Sequence, residues 1–281
     1  MTTLRLIRLA AALSMAAALA GCSLFGGDDD DFSLEEMPPG EIFQIGEAQL
    51  ADGDAIGAAQ TFNEIERLYP FSQLAKRAII MSAFASYTAG DVGSARSSAR
   101  RYLDLYPSDK DASYAQHLIA LTYYDNIVDV GRDQAMTQRA LKALREVVSR
   151  YPDSDFARDA QLKIDLTLDH LAGKEMEIGR YYLKRGHYTA AISRFRVVVD
   201  KYDTTSQTPE ALHRMVEANL ALGLENEALA SAAVLGHNYP GSDWYANSYE
   251  LLTGRNLLPE GEDRDGFFSR VYRRVIQGKW L

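Results

Sequence analysis

Gly186-His187-Tyr188-Thr189-Ala190-Ala191-Ile192-Ser193-Arg194-Phe195-Arg196-Val197-Val198-Val199-Asp200-Lys201-Tyr202-Asp203 is the clearest copy of a unit that recurs along the chain. Counted from its closing tyrosine, the copies end at Tyr69, Tyr106, Tyr151, Tyr202 and Tyr239. Eleven residues before each tyrosine stands an alanine: Ala58, Ala95, Ala140, Ala191 and Ala228. Seven before stand Phe62, Ala99, Leu144, Phe195 and Ala232, and four before stand Ile65, Tyr102, Val147, Val198 and Leu235. Steps of four, three and four keep all three positions on one face of a helix.

The punctuation repeats as well. Sixteen residues before four of the tyrosines lies a glycine, Gly53, Gly90, Gly186 or Gly223, where a preceding helix stops and the chain turns. The third copy stretches this interval to twenty, from Gly131. Proline follows four of the tyrosines, as Pro70, Pro107, Pro152 and Pro240, and ends the second helix by disfavouring helical backbone in the residue before it. Ser72, Ser154 and Ser242, and Thr208 in the irregular copy, are placed to cap the helix that follows. Small residues eight beyond each junction, Ala78, Ala115, Ala160, Ala211 and Ser248, permit close packing.

Helix, glycine turn, helix and proline stop form a unit of about 34 residues, the tetratricopeptide period. The expected fold is therefore all-α, a tetratricopeptide-repeat solenoid of about five helix-turn-helix repeats. A single hairpin cannot bury its apolar face, so consecutive units stack, and the product of such an array is a surface for partners.

Around the repeats the 281 residues divide as follows. Residues 1–21 read as an export signal: Arg5 and Arg8 flank an apolar run from Leu9 to Leu19, too short to span a bilayer comfortably. The run ends in Leu19-Ala20-Gly21-Cys22, which resembles a bacterial lipobox, and Cys22 is the only cysteine. We expect cleavage before Cys22 and acylation there, because several acyl chains hold a protein to a membrane where one holds only marginally. Ser23 after it, in place of aspartate, points to sorting toward the outer membrane. Residues 22–37, with Asp28 to Asp31 in a row, read as the acylated cysteine and a flexible tether. Residues 38–152 hold repeats 1–3. Residues 153–258 hold repeats 4–5 behind a long connecting helix, since the interval from Pro152 to Gly186 is 34 residues against 20 from Pro70 to Gly90. Residues 259–281 form a basic amphipathic tail in which Phe267, Phe268, Val271, Tyr272, Val275 and Ile276 recur at helical spacing, fitting a cap on the last repeat or a docking element.

Composition narrows the function. A net charge of −9 argues against nucleic acid as a partner, because phosphate binding needs a basic surface. The five histidines are scattered, with no His-Glu-x-x-His pattern, and no nucleophile elbow or phosphate-binding glycine loop is present. The chain is expected to be no enzyme, to hold no metal, and to need no cofactor beyond the covalent lipid on Cys22.

Tyr69-Pro70-Phe71-Ser72, Arg132-Asp133-Gln134, the stretch from Tyr151 to Ala160, Glu175 through Gly186, Glu210-Ala211-Leu212, Leu222-Gly223-Leu224 and Asn238-Tyr239-Pro240-Gly241-Ser242 are more specific than the repeat alone. Together these segments resemble the BamD family, tetratricopeptide lipoproteins of the outer-membrane β-barrel assembly machinery. With the lipobox the resemblance runs from Cys22 to about Tyr245. It implies a non-enzymatic scaffold, lipid-anchored at the periplasmic face of the outer membrane, whose partners are a BamA-like barrel subunit bound through its POTRA region, other lipoproteins of the complex, and unfolded outer-membrane proteins. By resemblance Arg194 matches an arginine on the BamA-facing surface. Phe62, Tyr87, Tyr102, Tyr123 and Tyr124 are candidates for a client groove, or else core. The alternative is another periplasmic repeat lipoprotein, such as a secretin pilotin or a cell-envelope coordinator. A pilotin is expected to be shorter, and a coordinator to carry a coiled coil and no lipid anchor.

Overall fold

The computed structural model describes residues 34–258 and 271–273. Cys22, the aspartate run and most of the tail lie outside the described residues. Leu34–Glu36 form one 3-10 turn. Eleven α-helices follow among the described residues: α1 (Pro39–Ala51), α2 (Ala55–Leu68), α3 (Gln73–Thr88), α4 (Val92–Leu105), α5 (Ala112–Tyr124), α6 (Ala135–Arg150), α7 (Asp155–Lys184), α8 (Tyr188–Lys201), α9 (Thr208–Ala221), α10 (Glu225–Asn238) and α11 (Asp243–Thr253). Numbered by repeat, hairpins 1, 3, 4 and 5 are α1–α2, α5–α6, α7–α8 and α9–α10, α3 and α4 belong to separate units, and the fold is the expected all-α tetratricopeptide-repeat solenoid.

The sequence register reappears as burial. Every alanine eleven before a closing tyrosine, every residue seven and four before it, and every small residue eight past a junction is 0% exposed. The five tyrosines end their helices alike, with φ between −132° and −135°, each N–H donating to the carbonyl four residues earlier. Gly53, Gly90, Gly186 and Gly223 have φ of 85°, 78°, 76° and 74°, a backbone region that costs a side chain about 1–2 kcal/mol. Ser72, Ser154 and Ser242 accept hydrogen bonds from the N–H groups of Ala75, Ala157 and Tyr245 at 3.1, 3.1 and 3.2 Å.

Three local features depart from the reading by sequence. Gly131 is not a left-handed turn residue: α5 ends at Tyr124, and the following loop is wound by side chains instead. There Asp129 Oδ1 accepts from Gly131 N at 2.8 Å, and Gln134 Nε2 donates to the carbonyls of Asp129, Val130 and Arg132. Thr208 is the first residue of α9 rather than its cap, and its hydroxyl donates to the Tyr202 carbonyl at 2.9 Å. Residues 34–37, grouped with the tether by sequence, pack: Leu34 and Met37 lie on the first core, and the Tyr69 hydroxyl donates to the Met37 carbonyl at 2.5 Å.

The described residues fall into two compact units, divided between residues 89 and 90. In the first, α1 packs on α2 and α2 on α3 around Ile42, Phe43, Phe62 and Ile65. In the second, each helix from α4 to α11 packs on the next. The long helix α7 covers thirty residues and passes Gly173 without a break. It serves both α6 on one side and α8 on the other, and its residues Ile164 and Met176 enter successive cores. Of the tail, Val271, Tyr272 and Arg273 are helical. Val271 and Tyr272 pack on the last core, and the Tyr272 ring stacks on His237 at 4.1 Å between centroids.

Within hairpins 1 and 4 the large ring of the repeat meets a glycine. A Cβ on Gly46 would stand 2.7 Å from Phe62 Cε1, and one on Gly179 would collide with the Phe195 ring in the same way. Both glycines lie seven residues before their turn glycine. In hairpin 5 the same two positions are Val216 and Ala232, both in one core, so bulk has changed sides while the helices stay close.

Candidate partner-binding surfaces

Arg194 follows from the repeat register: Ala191, Phe195 and Val198 take the buried face of α8, which leaves position 194 at its edge. Its side chain is 42% exposed and its Nη1 stands 3.1 Å from Glu175 Oε2 on α7. An exposed pair of this kind contributes about 0–1 kcal/mol, so a partner carboxylate competes with Glu175 at little cost. Beside it, burial pushes the Tyr202 phenol pKa up and the Glu175 charge adds to the rise, with Arg145 opposing it.

The five aromatic candidates part company. Phe62 is 0% exposed against Phe43, with ring centroids 5.2 Å apart, and Tyr102 is 0% exposed. Both belong to the core and offer nothing to a groove, because the position four or seven before the closing tyrosine is an inward one. The Tyr102 hydroxyl donates to Asp109 Oδ1 at 2.6 Å, and burial together with that carboxylate drives its pKa up. Tyr87 is half-buried on α3, in the first unit. Tyr123 and Tyr124, neighbours on α5, diverge. Tyr123 lies under the Arg96 guanidinium of α4 at 4.7 Å and accepts from Arg100 at 3.3 Å, whereas Tyr124 sits by Lys163 of α7 at 5.6 Å. Phe62 and Tyr87 belong to the first unit, and Tyr102, Tyr123 and Tyr124 to the second.

A charged network joins the C-terminal repeats. Arg180 of α7 grips Glu210 of α9 with two bonds, Nε to Oε1 at 2.9 Å and Nη2 to Oε2 at 2.5 Å. Arg214 bridges Glu210 at 3.2 Å and Glu217 at 2.8 Å, and lies over the Trp244 ring of α11 at 5.2 Å. His213 Nδ1 is 2.7 Å from the Ser248 hydroxyl. Burial opposes ionisation of Glu210, but Arg180 and then Arg214 outweigh it and hold its carboxyl below the usual range; His213 and Arg214 do the same for Glu217. The network aligns α7, α9 and α11, which carry the end of the array.

Sequence reasoning passed over a basic cleft in the second unit. Its floor is α5, with Gln116 and Tyr123; α4 contributes Arg100 and Asp104; α6 contributes Arg139, Lys142, Glu146 and Arg150; its volume is about 410 Å³. The signal was the spacing of 139, 142, 146 and 150 along one face of α6. It was hidden by a chain-wide charge of the opposite sign. Among the described residues no three or more His, Cys, Asp or Glu side chains gather as a metal site, and no helix is long and apolar enough to cross a membrane.

Comparison with known proteins adds the following. The family profile described as "YfiO: Outer membrane lipoprotein" matches residues 35–246. The outer membrane protein assembly factor BamD of Caulobacter vibrioides is 46% identical over 252 residues, 90% of this chain and 82% of that protein. The protein of the same name from Rickettsia prowazekii is 42% identical over 195 residues, 69% of this chain and 78% of its own. A solved structure described as "TPR2AB-domain:pHSP90-complex of yeast Sti1" is similar at a TM-score of 0.40 and 12% identity, over 85% of this chain and 92% of that one.

Proposed function

The chain belongs to the BamD (YfiO-type) family of outer membrane lipoproteins, and from that premise we propose that it is a scaffold subunit of the outer-membrane β-barrel assembly complex. Acyl chains on Cys22 hold it to the periplasmic face of the outer membrane. The C-terminal repeats bind the POTRA region of a BamA-like subunit, with Arg194 exchanging Glu175 for a partner carboxylate. The N-terminal repeats receive unfolded outer-membrane proteins, with Tyr87 in the first unit, and Tyr123 and Tyr124 in the second, as the aromatic candidates that remain once Phe62 and Tyr102 are assigned to the core. Other lipoproteins of the complex take further faces of the array.

The observation that carries this reading is the identity of 46% over 90% of the chain to a relative whose name is that of an assembly factor. The fold agrees with it, since stacked hairpins present side chains for binding. The test is affinity purification of the full-length protein from detergent-solubilised outer membranes, with mass spectrometry of the partners and of the Cys22 peptide. Recovery of a BamA-like barrel protein and an acylated Cys22 is expected. Recovery of a secretin or a cell-wall synthase in its place overturns the function and leaves the fold. Arg194→Glu is expected to cut BamA recovery about tenfold or more with helicity unchanged, and unaltered recovery removes Arg194 from the interface.

A further inference from the structure

We propose that the cleft on α4, α5 and α6 is a docking site for an acidic, extended segment of a partner protein. It rests on the scaffold reading only in taking the occupant to be protein.

Several basic side chains of the second unit stand in ion pairs, Lys163 with Asp159, Arg180 with Glu210, Arg194 with Glu175, and Arg214 with Glu217. In the cleft they do not. Among the described residues no carboxylate stands at ion-pair distance from Arg100, Arg139, Lys142 or Arg150, although all four are exposed and line one cavity of about 410 Å³. Arg96 continues the row on α4, one turn before Arg100, and its partners are the Thr122 hydroxyl at 3.5 Å and the Tyr123 ring. In a chain of net charge −9, four cations that line one cavity and make no ion pair outnumber its two carboxylates and are complementary to an anionic ligand.

The remaining lining selects the kind of anion. Asp104 and Glu146 share the cavity with the basic groups. Both would repel a phosphate, whose charge is concentrated on one centre. Both accept hydrogen bonds from the amide N–H groups of an extended backbone, whose own carboxylates reach the guanidinium and ammonium groups around them. Gln116 at the floor has both amide functions engaged across the cleft, Nε2 to Glu146 Oε2 at 3.3 Å and Oε1 from Arg150 Nη1 at 3.4 Å, so Glu146 and Arg150 are held at fixed separation. Alternating carboxylate acceptors and cationic donors along a groove match a peptide with spaced acidic side chains, not a headgroup.

The test uses full-length protein in detergent and a fluorescein-labelled peptide of about ten residues alternating Glu and Ser, followed by fluorescence anisotropy. At about 0.01 M salt, where the Debye length is near 30 Å, the Glu peptide is expected to bind and the matching Gln peptide to fail. The double variant Arg139→Glu, Lys142→Glu changes only exposed side chains and is expected to weaken binding tenfold or more, with far-UV circular dichroism unchanged. Arg145→Glu, a single charge reversal on α6 outside the cleft, is expected to leave it unaltered, whereas Arg139→Glu alone, the matching single reversal inside it, is expected to weaken it. Binding of the Gln peptide, equal weakening by Arg145→Glu, or no binding at all would each overturn the proposal. Displacement of the peptide by millimolar inorganic phosphate at constant ionic strength would assign the cleft to a phosphate headgroup and overturn it too. Peptide binding that fails while Arg194-dependent partner capture survives sinks this inference alone, and the converse result sinks the scaffold reading alone.

Discussion

Replacing Gly46 with alanine tests whether the hairpins close by matching sizes across the interface. The new Cβ would stand 2.7 Å from Cε1 and 2.8 Å from Cζ of Phe62, while ordinary contact begins at 3.4 Å, so ring or helix must give by roughly 0.7 Å. Phe62 is 0% exposed and rests against Phe43, so the ring has no open side to move into. Overpacking of this kind costs about 1–3 kcal/mol. Alanine gains back about 1 kcal/mol over glycine in a helix. The net expectation is a loss of up to about 2 kcal/mol, against a gain of about 1 kcal/mol if packing were indifferent. Phe62→Ala alone should cost about 3–5 kcal/mol through the cavity it leaves. The pair Gly46→Val, Phe62→Ala copies the Val216 and Ala232 arrangement of hairpin 5 and should recover at least about 1 kcal/mol relative to the sum of the two single changes. Urea unfolding followed by far-UV circular dichroism measures Gly46→Ala and the four corners of the cycle, namely the parent, Gly46→Val, Phe62→Ala and the pair. A more stable Gly46→Ala protein, or strict additivity of the pair, would refute the reasoning.

Other expectations follow from single contacts. Gly186→Ala forces a side chain into φ 76° and should cost about 1–2 kcal/mol in thermal unfolding, whereas Gly40→Ala, at a position without positive φ, should not. Ser154→Ala removes the bond to the Ala157 N–H at the start of α7 and should cost about 1 kcal/mol by the same assay. Glu210 and Glu217 are held below the usual 4.5, so their contribution is fully present above that pH and is lost as the pH falls through their lower folded values. Melting temperatures recorded from pH 6 down to pH 3 should therefore fall less steeply for the Glu210→Gln, Glu217→Gln protein than for the parent, and parallel curves would contradict the assignment.

Much of the fold was legible because its determinants are local. A left-handed glycine, a proline after a helix and a serine at a cap each act within a few residues of backbone. The steps of four, three and four then name the buried face without reference to any neighbour, which is why Ala191, Phe195 and Val198 could be placed from sequence. The same logic reached the edge position of Arg194. It faltered at Gly131, where a glycine looked like a turn but the loop is held by Gln134 reaching three carbonyls, a contact set no spacing announces. It faltered again with the aromatics, since Tyr102 and Tyr123 are alike as letters and only the register and the neighbouring helix separate a core ring from a surface one.

By itself, then, the sequence determined four of the glycine turns, the helix stops, the long span of α7 and the inward face of each repeat's second helix, all consequences of backbone dihedrals and helical period. Only the tertiary structure decided which faces meet: that Gly46 makes room for Phe62, that Glu175 is the partner of Arg194, and that the cations of α4 and α6 converge over Gln116. Those depend on side chains brought together from distant positions by packing, and the physical cost of a clash, or of an unpaired charge, exists only once the helices are side by side.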